Sequence, residues 1–411
     1  MVDRTGAATF LKGRADQPPN RDISRSNERR RELLLLLPAS TLTVMAGTVL
    51  APVLEPLQDS LGLSTSVTGL VLTAHSVGLV VASPFVGWLS TRLGLRLLLG
   101  GGMAIYALAG AAGALAGSPG YLLMSRVVVG VGVAAIFTGT TVALLNHQDG
   151  TQASRVMGWR SIALSVGGVS WPLMSGFLGS VEWRLAFTAH LVALPLAVIA
   201  FLWLPTNRPL AETQSGGAVG GSVGFRPEAP LMGAFGLQLL ASILLYAVIV
   251  FTPLRLGELD VRDPRVVALS PVAVSASMSL SGALYHRLRA ALGDLRLLAA
   301  AFFLWSMALL TVGTSQQPTL LFVACGAFGF GMGVAVPSLT LLVSNLAPER
   351  SQETAVSVLG SVTFGGQLLS PLLLGPFADR VSINGALGLA AAIAVLTAIS
   401  LLNHVYDWRR Q

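Results

Sequence analysis

From Leu33 onward the chain repeats one pattern: a long apolar run, a short polar break, then another apolar run. The runs are about 20 residues long, the length an α-helix needs to cross the hydrocarbon layer of a bilayer. Twelve spans are expected, at 33–55, 66–89, 97–117, 120–145, 157–179, 184–204, 231–253, 265–285, 296–314, 318–345, 354–375 and 384–403. The eighth is the weakest by hydropathy, because Ser270, Ser275, Ser277, Ser279 and Ser281 dilute it. The last four of these alternate with period two, so they spread around a helix and read as packing rather than as a site.

The polar breaks divide the chain. Residues 1–32 are a polar tail that ends in Arg29, Arg30 and Arg31. A cleaved signal peptide carries an apolar part of only about 7–15 residues, whereas this one continues to about Val53, so an uncleaved first span is expected. Between Pro205 and Pro230 the sequence turns Gly- and Ser-rich, as a flexible linker does. The expected organisation is a tail at 1–32, a six-helix bundle at 33–204, a linker at 205–230, a second six-helix bundle at 231–403 and a tail at 404–411.

The two halves echo each other, as in duplicated carriers. Gly130-Val-Gly132 pairs with Gly331-Met-Gly333, and Gly167-Gly168 with Gly365-Gly366. Pro172 and Gly176 pair with Pro371 and Gly375, and the loop from Gly87 to Arg96 is echoed by Gly282 to Leu288. On this register Arg126 corresponds to Ala327, so the scaffold is duplicated and the charge is not.

Composition agrees with a membrane protein: 53% of residues are apolar and 11% charged, against about 25% charged in soluble domains. The net charge of +7 raises the question of a nucleic-acid partner. Position answers it. Arg184, Arg255, Arg262, Arg265 and Arg380 fall on one side of the expected spans, Arg126 falls within one, and the remaining Lys and Arg fall on the side of the termini. That is the positive-inside asymmetry of a protein with both termini cytoplasmic, and no nucleic acid is needed to explain it. The one cysteine, Cys325, excludes an internal disulfide. No Walker-type loop, nucleophile elbow or metal-ligand pair is present, so neither an enzyme, a metal nor a cofactor is expected.

Chemistry concentrates in few residues. A guanidinium stays charged in any environment, and holding one inside a membrane costs at least about 2.5–3.5 kcal/mol, so Arg126 asks for a function. Glu55 and Asp59 lie at the outer end of the first span; Glu55 is a candidate proton carrier or a solvated helix end. His75 and His190 lie within spans, each a candidate proton carrier or a neutral packing residue. Gln238, Ser242 and Tyr246 share one face of the seventh span, and Thr363, Gln367 and Pro371 one face of the eleventh. Such stripes face a water-filled cavity or bond between helices.

At these residues the chain resembles the major facilitator superfamily, from Leu33 to Leu402. Gly87, Arg92, Gly94 and Arg96 match the family's loop signature, with Thr91 in place of its aspartate. Arg126, Gly130 and Gly132 resemble the fourth-helix motif. Gly168, Pro172 and Gly176 resemble the fifth-helix motif that points toward export. The resemblance implies a monomeric secondary transporter in the lipid of the inner membrane, twelve helices in two pseudo-symmetric bundles. It implies proton-coupled efflux of a small organic solute by alternating access, with substrate or proton coupling at Arg126, Glu55, His75, Gln238, Tyr246 and Gln367. Uptake of an organic acid or sugar is the alternative, and a non-transporting receptor or scaffold the alternative of another class.

Overall fold

The computed structural model describes residues 20–146, 151–204 and 227–408, and every regular element among them is helical. Among the described residues the helices long and apolar enough to cross a membrane number 12. They are α1 (Arg30–Leu61), α2 (Thr65–Ser90), α3 (Arg92–Leu115), α4 (Pro119–Leu144), α5 (Arg155–Gly179) and α6 (Leu185–Trp203) in one bundle. The other bundle holds α7 (Ala229–Glu258), α8 (Pro264–Leu292), α9 (Asp294–Thr314), α10 (Pro318–Leu346), α11 (Thr354–Arg380) and α12 (Ile383–Asn403). An even number of crossings puts both ends of the described chain on one face, the terminal face; the other is the distal face. Polar helix ends carry α1, α7, α8 and α11 several residues beyond their apolar runs, which is where the expected bounds fall short. Most of the expected linker and the far ends of both tails lie outside the described residues.

Two breaks shape the first bundle. After Thr48, α1 tightens into a 3₁₀ turn at Ala51–Val53, where Pro52 supplies no N–H. In α2 the α-helix stops at Thr73 and resumes at His75. From His75 to Ala112 the chain is helical except at Gly94, whose φ of 73° and ψ of 165° favour glycine. Gly293, between α8 and α9, has φ 75° and ψ 166°.

Those two glycines lie as far apart in sequence as Pro172 and Pro371, and the close approaches of other glycines keep the same spacing. A Cβ on Gly130 would strike the His75 carbonyl, and one on Gly329 the Val274 carbonyl. Gly132 abuts Tyr106 as Gly331 abuts Trp305, and Gly375 abuts Ser66 as Gly176 abuts Arg265. The register read from sequence is therefore corrected: Pro172 and Gly176 were paired rightly, while the other matches slip by one, two or four residues. The cause is the run Gly329-Phe-Gly331-Met-Gly333, whose period of two lets Gly130 and Gly132 pair in either of two ways. Arg126 corresponds to Cys325, not Ala327. Both are uncharged, so the asymmetry of charge stands.

Candidate functional site

Arg126 is wholly buried, at 0% exposure. One terminal nitrogen donates to the Ala46 carbonyl of α1 at 2.8 Å, and the other reaches His190 Nε2 at 3.0 Å. Since a guanidinium can only donate, His190 Nε2 accepts, and its Nδ1–H donates to the Phe187 carbonyl at 2.9 Å. His190 is thereby a neutral imidazole of defined tautomer. Its ring lies against Tyr106, with centroids 5.2 Å apart. His75, Tyr106 and Tyr246 also lie within the electrostatic reach of Arg126. Among the described residues no carboxylate pairs with Arg126, and its Nε has no partner.

His75 enters this cluster because α2 and α4 touch through glycine: Gly78 meets the Val127 carbonyl and Gly130 the His75 carbonyl. The Nδ1–H of His75 donates to the Leu72 carbonyl at 2.9 Å, just before the break in α2. Tyr246 reaches across from the second bundle, and its hydroxyl occupies the space that a side chain at Gly47 would need. Ser76 donates to Gln367 Oε1 at 3.1 Å, a second bond between the bundles.

Two expected members stand apart. Gln238 is buried within the second bundle, where its Nε2 donates to Thr363 at 2.9 Å and to Ser242 at 3.3 Å. Of the two readings of that stripe, bonding between helices is the one observed. Glu55 is in the distal seal, where Arg262 pairs with it at 3.5 Å and Gly257 packs on its side chain. It does not join Arg126 and His75.

The distal seal has further parts. Asp379, near the end of α11, accepts from the backbone N–H groups of Thr65 at 2.7 Å and Ser66 at 3.2 Å, and from the Ser66 hydroxyl. One bundle thus caps the first turn of α2 in the other. By the repeat spacing its counterpart is Ser180, which accepts from Arg265 Nε at 2.8 Å. All of these links lie at mid-depth or on the distal side.

At the terminal face Arg92 stacks on Trp88 at 4.3 Å, Gly87 accepts from Ser90, and Arg96 is half-buried. The Thr91 side chain lies outside the described residues. In α5, Gly168 packs on Ser275 and Gly176 on the Pro264 carbonyl, with Pro172 buried between them. So the serines of α8 do pack against glycine.

Sequence reasoning missed Arg160. It was counted with the loop charges near the termini, yet it is buried in α5 at 6% exposure, with its guanidinium over the Phe137 ring at 5.4 Å. Its position inside the expected fifth span was the available signal.

Residues 36–371 match the family model described as Major Facilitator Superfamily. Quinolone resistance protein NorA of Staphylococcus aureus (strain MSSA476) is 25% identical over 379 residues, covering 85% of this chain and 91% of that protein. A solved structure of a mutant of nucleoside transporter NupG superposes with a TM-score of 0.72 at 14% identity, covering 90% of this chain and 99% of that one. A bacterial homologue of the human lysosomal transporter Spinster, inward-facing and occupied, gives 0.70 at 18% identity, covering 91% and 94%. At such identities the structures establish a shared fold.

Proposed function

Because the chain belongs to the major facilitator superfamily and is a multi-pass membrane transporter rather than an enzyme, we propose that it exports a small organic solute from the cytoplasm in exchange for protons. NorA, a quinolone resistance protein, matches over most of both chains and supports export over uptake. On this reading both termini are cytoplasmic in the inner membrane, so a sealed distal face is the inward-facing state. The bundles rock about the mid-depth contacts of Tyr246 with Gly47 and Gln367 with Ser76.

The observation that carries the coupling is the bond from Arg126 to His190 Nε2. A proton arriving at Nε2 turns the acceptor into a donor and sets two positive charges face to face. The bond then breaks, and Arg126, still held to the Ala46 carbonyl, is freed to turn toward an incoming solute. Loss of the proton restores the clamp. On this reading proton coupling belongs to Arg126 and His190, with His75 alongside, rather than to Glu55. Gln367 and Tyr246 carry the contact between bundles, and the glycines and Pro172 let the helices slide and bend.

The test is flux in proteoliposomes sorted for inside-out orientation, with a compound panel and an imposed pH step. Export predicts accumulation in the lumen when the lumen is acidic. Accumulation driven by an alkaline lumen would mean uptake. Flux of nothing in the panel, with a partner protein co-purifying, would point to a receptor or scaffold.

A further inference from the structure

Among the described residues three arginines are buried, Arg126, Arg160 and Arg255; Arg255 pairs with Glu258, and the clamp around Arg126 does not use Arg160. It lies roughly 7 Å into α5 from Arg155 at 1.5 Å per residue, on the terminal side of the molecule. Among the described residues it forms no hydrogen bond or ion pair, and its Nε is buried without a partner. Among the described residues, the aromatic face that meets its charge is that of Phe137. A buried guanidinium cannot shed its proton, and a buried charge calls for a counter-charge.

The fold itself does not need the cation. By the repeat spacing the place of Arg160 is taken in α11 by Leu359, a buried apolar residue packed with Val343 and Ala355. The second bundle is therefore built at the same point with a plain hydrocarbon side chain. What differs is the surroundings: Phe137 meets Phe364 of the second bundle edge to face, with centroids 6.4 Å apart. That ring pair spans the seam between the bundles. Rocking of the bundles therefore changes the contact made by the ring on which the guanidinium rests.

We propose that Arg160 binds the charged group of the transported solute, and that the solute is an amphiphilic organic anion. Its carboxylate or sulfonate occupies the guanidinium fork, and its apolar body lies against Phe137 and Phe364. The proposal rests on the transporter reading above and deepens it by naming the substrate class. Anions suit this interior: the carboxylates that bond or ion-pair among the described residues sit at helix ends, as Glu55, Asp294 and Asp379 do. Arg126 adds a second positive charge further along the same bundle.

The probe is a matched set with one apolar body: naphthalene-2-sulfonate, the neutral naphthalene-2-sulfonamide, and a trimethylammonium cation on the same ring system. Binding to the purified full-length protein is measured by calorimetry, and counterflow in proteoliposomes. The wild type is expected to bind the sulfonate at least tenfold more tightly than the other two. R160Q is expected to lose that preference while binding the sulfonamide within twofold of wild type, which also shows that it is folded. R160K, with the charge but not the fork, keeps part of the preference. A sulfonate bound no better than its neutral partner by the wild type, or an unchanged preference in R160Q, overturns the proposal. If R160Q binds none of the three, R160K decides: a surviving sulfonate preference upholds the proposal and a lost one overturns it. Counterflow separates the two readings. Sulfonate binding that depends on Arg160 without counterflow of any compound defeats transport and leaves the anion site, whereas counterflow of the cation alone defeats the anion class and leaves transport.

Discussion

On the proposed mechanism Arg126 carries most of the chemistry, and its replacements separate charge from shape. Arg126→Ala leaves the Ala46 carbonyl and His190 Nε2 without their donor, at about 1–3 kcal/mol for each unsatisfied buried group. We expect the protein to insert, lose measurable counterflow and unfold at a lower temperature in detergent. Arg126→Lys keeps the charge but cannot hold two acceptors in fixed fork geometry, so counterflow should fall at least tenfold. Gly47 gives a sharper test, because a Cβ there overlaps only the Tyr246 hydroxyl and stands at ordinary distance from the rest of that ring. Gly47→Ala should slow counterflow, and adding Tyr246→Phe should restore it; a double variant no faster than Gly47→Ala would mean that the contact is incidental. The sequence made Arg126 legible because a charge within an apolar run is conspicuous. Gly47, one of 45 glycines, could not be singled out, since its role exists only once α7 is laid against α1. Arg160 was hidden by its nearness to the charged loop before α5.

Among the elements, the cap that Asp379 places on α2 is the clearest device for holding one conformation. A carboxylate on the first N–H groups of a helix satisfies unpaired donors and meets the positive end of the helix dipole, for about 1 kcal/mol. Asp379→Asn should weaken the distal seal without touching the buried cluster. Spin labels at Ser60 and Ser382 should then show a larger share of long distances than in the wild type; an unchanged distribution would mean that Glu55–Arg262 and Ser180–Arg265 hold the seal alone. The spans themselves were legible to within a few residues, because length and hydropathy decide them. The break in α2 before His75 was not, since nothing in the local apolar pattern interrupts there. The repeat was legible as a fact but not in register, for glycine runs of period two admit a slip that only the helix contacts remove.

At the level of the whole molecule, sequence periodicity determines two bundles but not which face is closed. Closure depends on pairs such as Glu55 with Arg262 and Ser66 with Asp379, far apart in the chain and brought together only by the seam. Glu55 shows the consequence. Its place at a span end was compatible with proton carriage, and the seam pairs it with Arg262 of the second bundle. The same seam lets Tyr246 and Gln367 of one bundle reach the cluster of Arg126, His75 and His190 in the other. On the proposed mechanism, protonation at His190 alters a clamp that lies against the interface between the bundles. The most direct measurement is a comparison of His190→Gln with the wild type in proteoliposomes, because glutamine can still accept from Arg126 but cannot take up the proton. Solute exchange at equal pH should persist in the variant, while accumulation driven by an imposed pH step should disappear. Accumulation at the wild-type level in His190→Gln would contradict the account and place the coupling elsewhere.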